Sequence, residues 1–184
     1  MIFFSKVQQK CLAVYQRKYP CNAKPPMLNL LLNSTLILHA SYHGMQFYSS
    51  AIHIKTTSNT DIINISPQVA DIVSRHNILN GIVLLFVPGS TAALTTIEYE
   101  RGVINDLRRA IELMAPEGIT YEHDARWGDG NGYAHVRAAI LGPSLMIPLR
   151  GGQLLLGTWQ QIVLCDFDNR PRTREIIVQL QGIA

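Results

Sequence analysis

"AHVRAAILGPSLMIPLRGGQLLLGTWQQIVLCDFDNRPRTREIIVQLQ", residues 134–181, decides the fold. Short apolar stretches recur in it, and each stops at a cluster of turn formers: Gly142-Pro143, then Arg150-Gly151-Gly152, then the run from Asp168 to Arg172. Strands joined by such tight turns pair antiparallel. The pattern predicts four or five strands, at 134–141, 144–149, 152–157, 158–167 and 173–181. Alternation in 158–167 places Trp159 and Gln161 on one face and Thr158 and Gln160 on the other. Trp159 and Cys165 both read as core residues there.

Upstream, "GIVLLFVP" (81–88) is apolar throughout, as expected of a central strand buried on both faces. Residues 46–56 alternate and are rich in β-formers, and 61–65 form a second short strand. Between these lies a helix over 66–77, with Ser66 placed to cap it, Pro67 in its first turn, and Val69, Ile72, Val73 and His76 on one face. A second helix is expected over 98–116, where Val103, Leu107, Ile111 and Met114 recur at helical spacing and Pro116 closes the run. Strands, helix, strand, helix and strands in that order predict an α+β fold, with a mostly antiparallel sheet and two main helices.

The 184 residues are 47% apolar and 16% charged, a balance that suits a globular domain and argues against disorder. The formal charge of +3 is unevenly spread. Residues 1–44 hold Lys6, Lys10, Arg17, Lys18 and Lys24 with no acidic group, leaving eleven basic against thirteen acidic residues beyond them. That acidic remainder disfavours nucleic acid as a partner. Residues 1–44 read as an extension outside the fold. Their apolar run at 27–40 is signal-like but interrupted by Asn29, Asn33 and Ser34. The domain is therefore placed at 45–184, and a chain beginning at Met45 is expected to fold and assemble. No apolar run reaches the roughly 20 residues of a membrane span. The three cysteines, Cys11, Cys21 and Cys165, have neither zinc nor redox spacing, so a reducing, cytoplasmic setting is expected.

Polar residues gather at strand ends. Gly89, Ser90 and Thr91 make a small-residue loop whose amides can cradle an anion, although it lacks the lysine and spacing of a P-loop. In "YEHDARWGDGNGYAH" (121–135), His123 ends a short strand at 119–123 and His135 opens the next strand, so a returning loop is expected to bring two imidazoles together. Imidazole is a common ligand of zinc and similar ions. Asp124, Asp129 and Asn131 also fit simple Asx turns. The loop lacks the closing glutamate of a calcium site. Arg170, Arg172 and Arg174 follow Asp166 and Asp168; arginine forks suit phosphate and equally suit surface turns. Glu98 and Asp106 lie a little over two helical turns apart, roughly on one face.

Taken together, "VPGSTAALTTIE", "YEHDARWGDGNGYAHVRAAILGPSLMIPL", "GGQLLLGTWQQIVLCDFD" and "RPRTREIIVQL" resemble the YjbQ family, also called the secondary thiamine-phosphate synthase family. The resemblance spans 45–184. It implies a homotrimer with the polar cluster near subunit contacts. It also implies a thiamine-phosphate synthase activity, in which a thiazole phosphate attacks an aminopyrimidine pyrophosphate and pyrophosphate leaves. By position it implies catalytic roles for Glu98, Asp106, Asn131 and Gln160. Substrate binding falls to Trp159 and Arg172, joined by Gly89, Ser90 and Thr91 from the loop reading above, and a divalent ion, zinc or magnesium, to His123 and His135. The chain departs from the family pattern at Gly89, where many members carry histidine, and in the turn "DNRPR". That loss of an imidazole, with no obvious nucleophile, also fits a non-catalytic homotrimer that binds a metabolite or a metal.

Overall fold

The computed structural model describes residues 44–58 and 60–184. The expected extension over 1–44 falls, but for its last residue, outside them. The element order is β1 (Gln46–Lys55), β2 (Asp61–Asn64), α1 (Ser66–Ser74), β3 (Asn80–Phe86), β4 (Ala92–Ile97), α2 (Arg101–Met114), α3 (Glu122–Trp127), α4 (Gly132–Leu141), β5 (Ser144–Arg150), β6 (Gln153–Leu154), β7 (Gln161–Asp166) and β8 (Thr173–Ile183). The strands form two antiparallel sheets, a larger one in the order β1-β8-β3-β5-β6 and a smaller one in the order β2-β7-β4. The expected α+β fold with mostly antiparallel pairing is the fold observed.

Two apolar layers hold the sheets. Ile52, Val83, Leu85, Ile147, Ile176, Val178 and Leu180 point from the larger sheet onto Leu94, Ile162 and Leu164 of the smaller one, and α1 adds Val69, Ile72 and Val73. The opposite face of the smaller sheet, with Ala93, Val163 and Cys165, packs under α2 and α4 through Ile104, Ile111, Tyr133, Ala134 and Ala138. Strand β7 is thus buried on both sides, which is why "IVLC" is apolar without alternation. Burial also pushes the Cys165 thiol up to about 12, so it is packing and not a nucleophile. The outer face of the larger sheet carries Phe47, Ile82, Leu84, Phe86, Met146 and Ile177, of which Phe47, Phe86 and Met146 are exposed.

Several local expectations are corrected. Residues 134–141, read as a strand, are helical in α4. The strand expected at 119–123 gives way to helix α3. Beyond the Gly89–Thr91 loop, Ala92–Ile97, a stretch for which no element is expected, forms strand β4. The strand expected at 152–157 shrinks to Gln153–Leu154. Trp159 is no core residue: it sits in the turn before β7 with 70% of its surface exposed. Ser66 does not cap α1. The cap position is Ile65, and the Ser66 hydroxyl accepts the Ile162 amide at 2.8 Å, tying α1 to β7. In α2 the buried contacts are Ile104 and Ile111, while Met114 is exposed, and Glu100 caps the helix by accepting the Gly102 and Val103 amides.

Candidate functional site

Strands β3 and β4 follow each other in sequence but lie in different sheets, and so do β7 and β8. Both crossings occur at one end of the molecule, where Ala92 pairs with Asp166. The inward alternation of β7 reaches Asp166, and that of β8 begins at Arg174. The end of the apolar layer is therefore built from charges. Arg174 donates twice to Asp166, from Nε at 2.7 Å and Nη2 at 2.6 Å, and Thr56 donates to the same carboxylate at 2.7 Å. Arg174 Nη2 also donates to Thr91 Oγ1 at 2.8 Å, and that hydroxyl donates onward to Asp168 at 2.9 Å. Arg172 completes the chain with Nε on Asp168 at 2.9 Å. Asp166, Asp168, Thr91 and Arg174 are buried. Burial alone raises the Asp168 carboxyl, but bonds from Arg172 and Thr91 and the Arg172 charge outweigh it and hold the group below the usual carboxylate range.

The arginines of "DNRPRTR" therefore differ in role. Arg174 is a structural member of a buried pair. The Arg172 side chain keeps 41% of its surface exposed while anchored on Asp168. A guanidinium so held offers its free N–H groups outward in a fixed orientation.

The facing wall comes from α3, the turn after it and the start of α4. This helix–turn–helix closes tightly at Gly132, where an added Cβ would lie 2.5 Å from the Tyr121 Cβ. The Gly132 amide donates to Asp124 Oδ1 at 2.8 Å, and Asn169 donates to the Asp129 carbonyl at 2.7 Å, pinning the loop to the β7–β8 turn. His123 and His135 come together with ring centroids 4.4 Å apart at 38°. His123 Nδ1 is buried without a hydrogen-bond partner, although Asp129 Oδ1 lies 3.3 Å and Asp124 Oδ1 3.5 Å from it. With its amide nitrogen turned inward, Asn131 donates to Asp129 Oδ2 at 3.2 Å and to His135 Nε2 at 3.3 Å.

Between the two walls lies a cavity of about 540 Å³. It is lined by Gly89, Ser90 and Thr91 from the β3–β4 crossing, Asp168, Arg172, Thr173 and Arg174 from the β7–β8 crossing and the start of β8, and His123, Trp127, Asp129, Asn131 and His135 from the α3–α4 segment. Of the residues singled out in the sequence, Gly89, Ser90, Thr91, His123, Asn131, His135 and Arg172 share this space. Glu98, Asp106, Trp159 and Gln160 do not. Glu98 follows the far end of β4, about 20 Å along the strand at ~3.3 Å per residue. Asp106 is exposed on α2 and ion-paired with Arg109. Gln160 donates to Thr96 at 3.0 Å beside exposed Trp159.

Asp129 and Asp168 were not singled out as site residues. Asp124 and Asp129 group with His123 such that one ligand atom from each lies within 4.8 Å of the others. Asp-Gly-Asn-Gly carries the same signature as a simple turn, so local sequence does not separate the two.

Residues 50–183 match the family model described as UPF0047 protein YjbQ-like. The chain belongs to the YjbQ-like UPF0047 family. A UPF0047 protein of Archaeoglobus fulgidus is 40% identical over 126 residues, covering 68% of this chain and 95% of the relative. The UPF0047 protein YugU of Bacillus subtilis is 33% identical, covering 71% and 97%. Among solved structures, a YbjQ-like protein of unknown function from Sulfolobus solfataricus superposes with TM-score 0.71 at 36% identity, covering 75% of this chain and 99% of that one. A YjbQ/UPF0047 protein of Clostridium acetobutylicum gives TM-score 0.66 at 30% identity, covering 71% and 98%. The UPF0047 match begins inside β1 and contains every wall of the cavity.

Proposed function

We propose that this protein is a cytoplasmic enzyme acting on small phosphorylated molecules, with a thiamine-phosphate synthase type of reaction. In that reaction an aminopyrimidine diphosphate and a thiazole phosphate are joined and pyrophosphate is released. The observation that carries the reading is one polar cavity in which Arg172 and the Gly89–Thr91 loop face two imidazoles and a carboxylate. Displacing pyrophosphate requires negative charge to be stabilised on the leaving group. Arg172, oriented by Asp168, and the loop amides supply donors for it. On the facing wall Asn131, which also donates to Asp129, donates to His135 Nε2 and holds that ring in place.

The donor set also fits a divalent cation. His123 Nδ1 is buried, unpartnered and faced by two carboxylate oxygens, and such a mixture of imidazole and carboxylate suits zinc better than magnesium. His123, Asp124 and Asp129 would hold the ion, with His135 against the His123 ring. An ion there would act as a Lewis acid toward a phosphate oxygen. Among the described residues no helix is long and apolar enough to cross a membrane. The exposed apolar face of the larger sheet supports self-association, which we take to be a homotrimer.

The test is thiamine-phosphate formation by the full chain, assayed from the two phosphorylated precursors with elemental analysis of the same preparation. Expected are measurable product, a bound transition metal, and loss of both in His123→Ala. Turnover unchanged in both His123→Ala and His135→Ala would remove the imidazoles from the reaction.

A further inference from the structure

The polar cavity shares Gly89, Ser90 and His135 with a second cavity of about 230 Å³. Its remaining walls are Ala92, Ala138, Ala139 and Pro143. One face of α4 explains the pairing of the two spaces. Asn131 and His135 present polar groups at the start of the helix, and Ala138 and Ala139 present methyl groups one turn later. Gly89 stands where the two cavities meet. Its φ of +133° suits glycine alone, and a Cβ there would come within 3.3 Å of the Arg174 guanidinium. A side chain at this position would strain the backbone and intrude on the junction.

We propose that the second cavity is an apolar subsite for the organic group of the substrate, and that Gly89 keeps it open to the phosphate site. This rests on the anion-binding reading of the polar cavity given above. A cavity of about 150 Å³ is large enough for benzene, so 230 Å³ accommodates a substituted single ring or a branched alkyl group. The walls offer few hydrogen-bonding groups beyond Ser90 and His135. Sugar hydroxyls buried against them would lose water without finding partners. The substrate class is therefore a phosphate or diphosphate ester of a small, weakly polar ring or alkyl group, and not a sugar phosphate.

Calorimetric titration of the full chain with inorganic phosphate, glycerol 3-phosphate and benzyl phosphate tests this. Benzyl phosphate is expected to bind about tenfold more tightly than glycerol 3-phosphate, from burial of the ring. Ala139→Phe, which plugs the subsite from a residue exposed on α4, is expected to bring the two Kd values to within about twofold. Ala139→Leu, a smaller plug, repeats the measurement if circular dichroism shows the phenylalanine variant unfolded. Equal binding of the two esters by the unmodified chain would overturn the subsite and leave the phosphate site standing. So would a preference that survives the plug. Binding of none of the three would overturn the phosphate site, and the subsite with it.

Discussion

Asp168 is the residue through which the buried network meets the cavity. It accepts from Thr91 and Arg172, and its carboxyl is held below the ordinary range. In the unfolded chain the same group takes its proton near ~3.9. As pH falls, the unfolded state is therefore protonated first. The stability drawn from these bonds is complete above about pH 4 and is lost as pH falls through the lower folded value. Asp168→Asn should cost roughly 1–3 kcal/mol at neutral pH, because buried partners lose a charged acceptor. Urea denaturation from pH 7 to pH 3 should show the gap between the two proteins narrowing at the acid end. A gap that stays constant would mean that Asp168 is not held low in the folded state. The sequence could not separate Arg172 from Arg174, since both follow acidic residues in one turn. The distinction comes from strand alternation, which sends Arg174 inward with Ile176 and Val178.

At the scale of elements, the strands at 46–55, 61–64, 80–86, 144–150, 161–166 and 173–183 were legible because apolar runs and turn residues bound them. Strand β4 was not. Its Ala-Ala-Leu-Thr-Thr composition resembles a loop, and its partners on β7 are distant in sequence. Helix α4 was mistaken for a strand because Val136 and Ile140, two β-branched residues, are prominent in it. Both point to solvent, while small Ala134 and Ala138, one turn apart, make the buried contact. The site was half legible. The His123–His135 pairing follows from a returning loop, but the aspartates around it read equally as turn residues. Gly132 is the closest approach in that loop. Gly132→Ala should push Tyr121 and the α4 start apart, costing about 1–3 kcal/mol as an overpacked contact does. Thermal melts should show the loss, and if the proposed metal site exists, zinc titration should show weaker binding as the Gly132–Asp124 bond is disturbed.

For the whole molecule, the larger sheet presents Phe47, Phe86 and Met146 outward on the side opposite its core. Exposed apolar side chains on a sheet face are what the proposed self-association would cover. Met146→Glu places a charge on the β3–β5 part of this face, beside Leu84 in register. If the proposed self-association uses this face, sedimentation should show Met146→Glu shifted toward monomer, with secondary structure intact by circular dichroism. An unchanged sedimentation coefficient would move the interface elsewhere.

The two chain crossings that frame the cavity each leave one sheet and enter the other. The wall that carries Thr91, Asp168, Arg172 and Arg174 therefore has no fixed position until both layers have docked. A refolding chain with only the larger sheet in place owns half a receptor. Ligand capture should be the last property to return after denaturant is diluted, later than far-ultraviolet ellipticity, which makes binding a clock for completed folding.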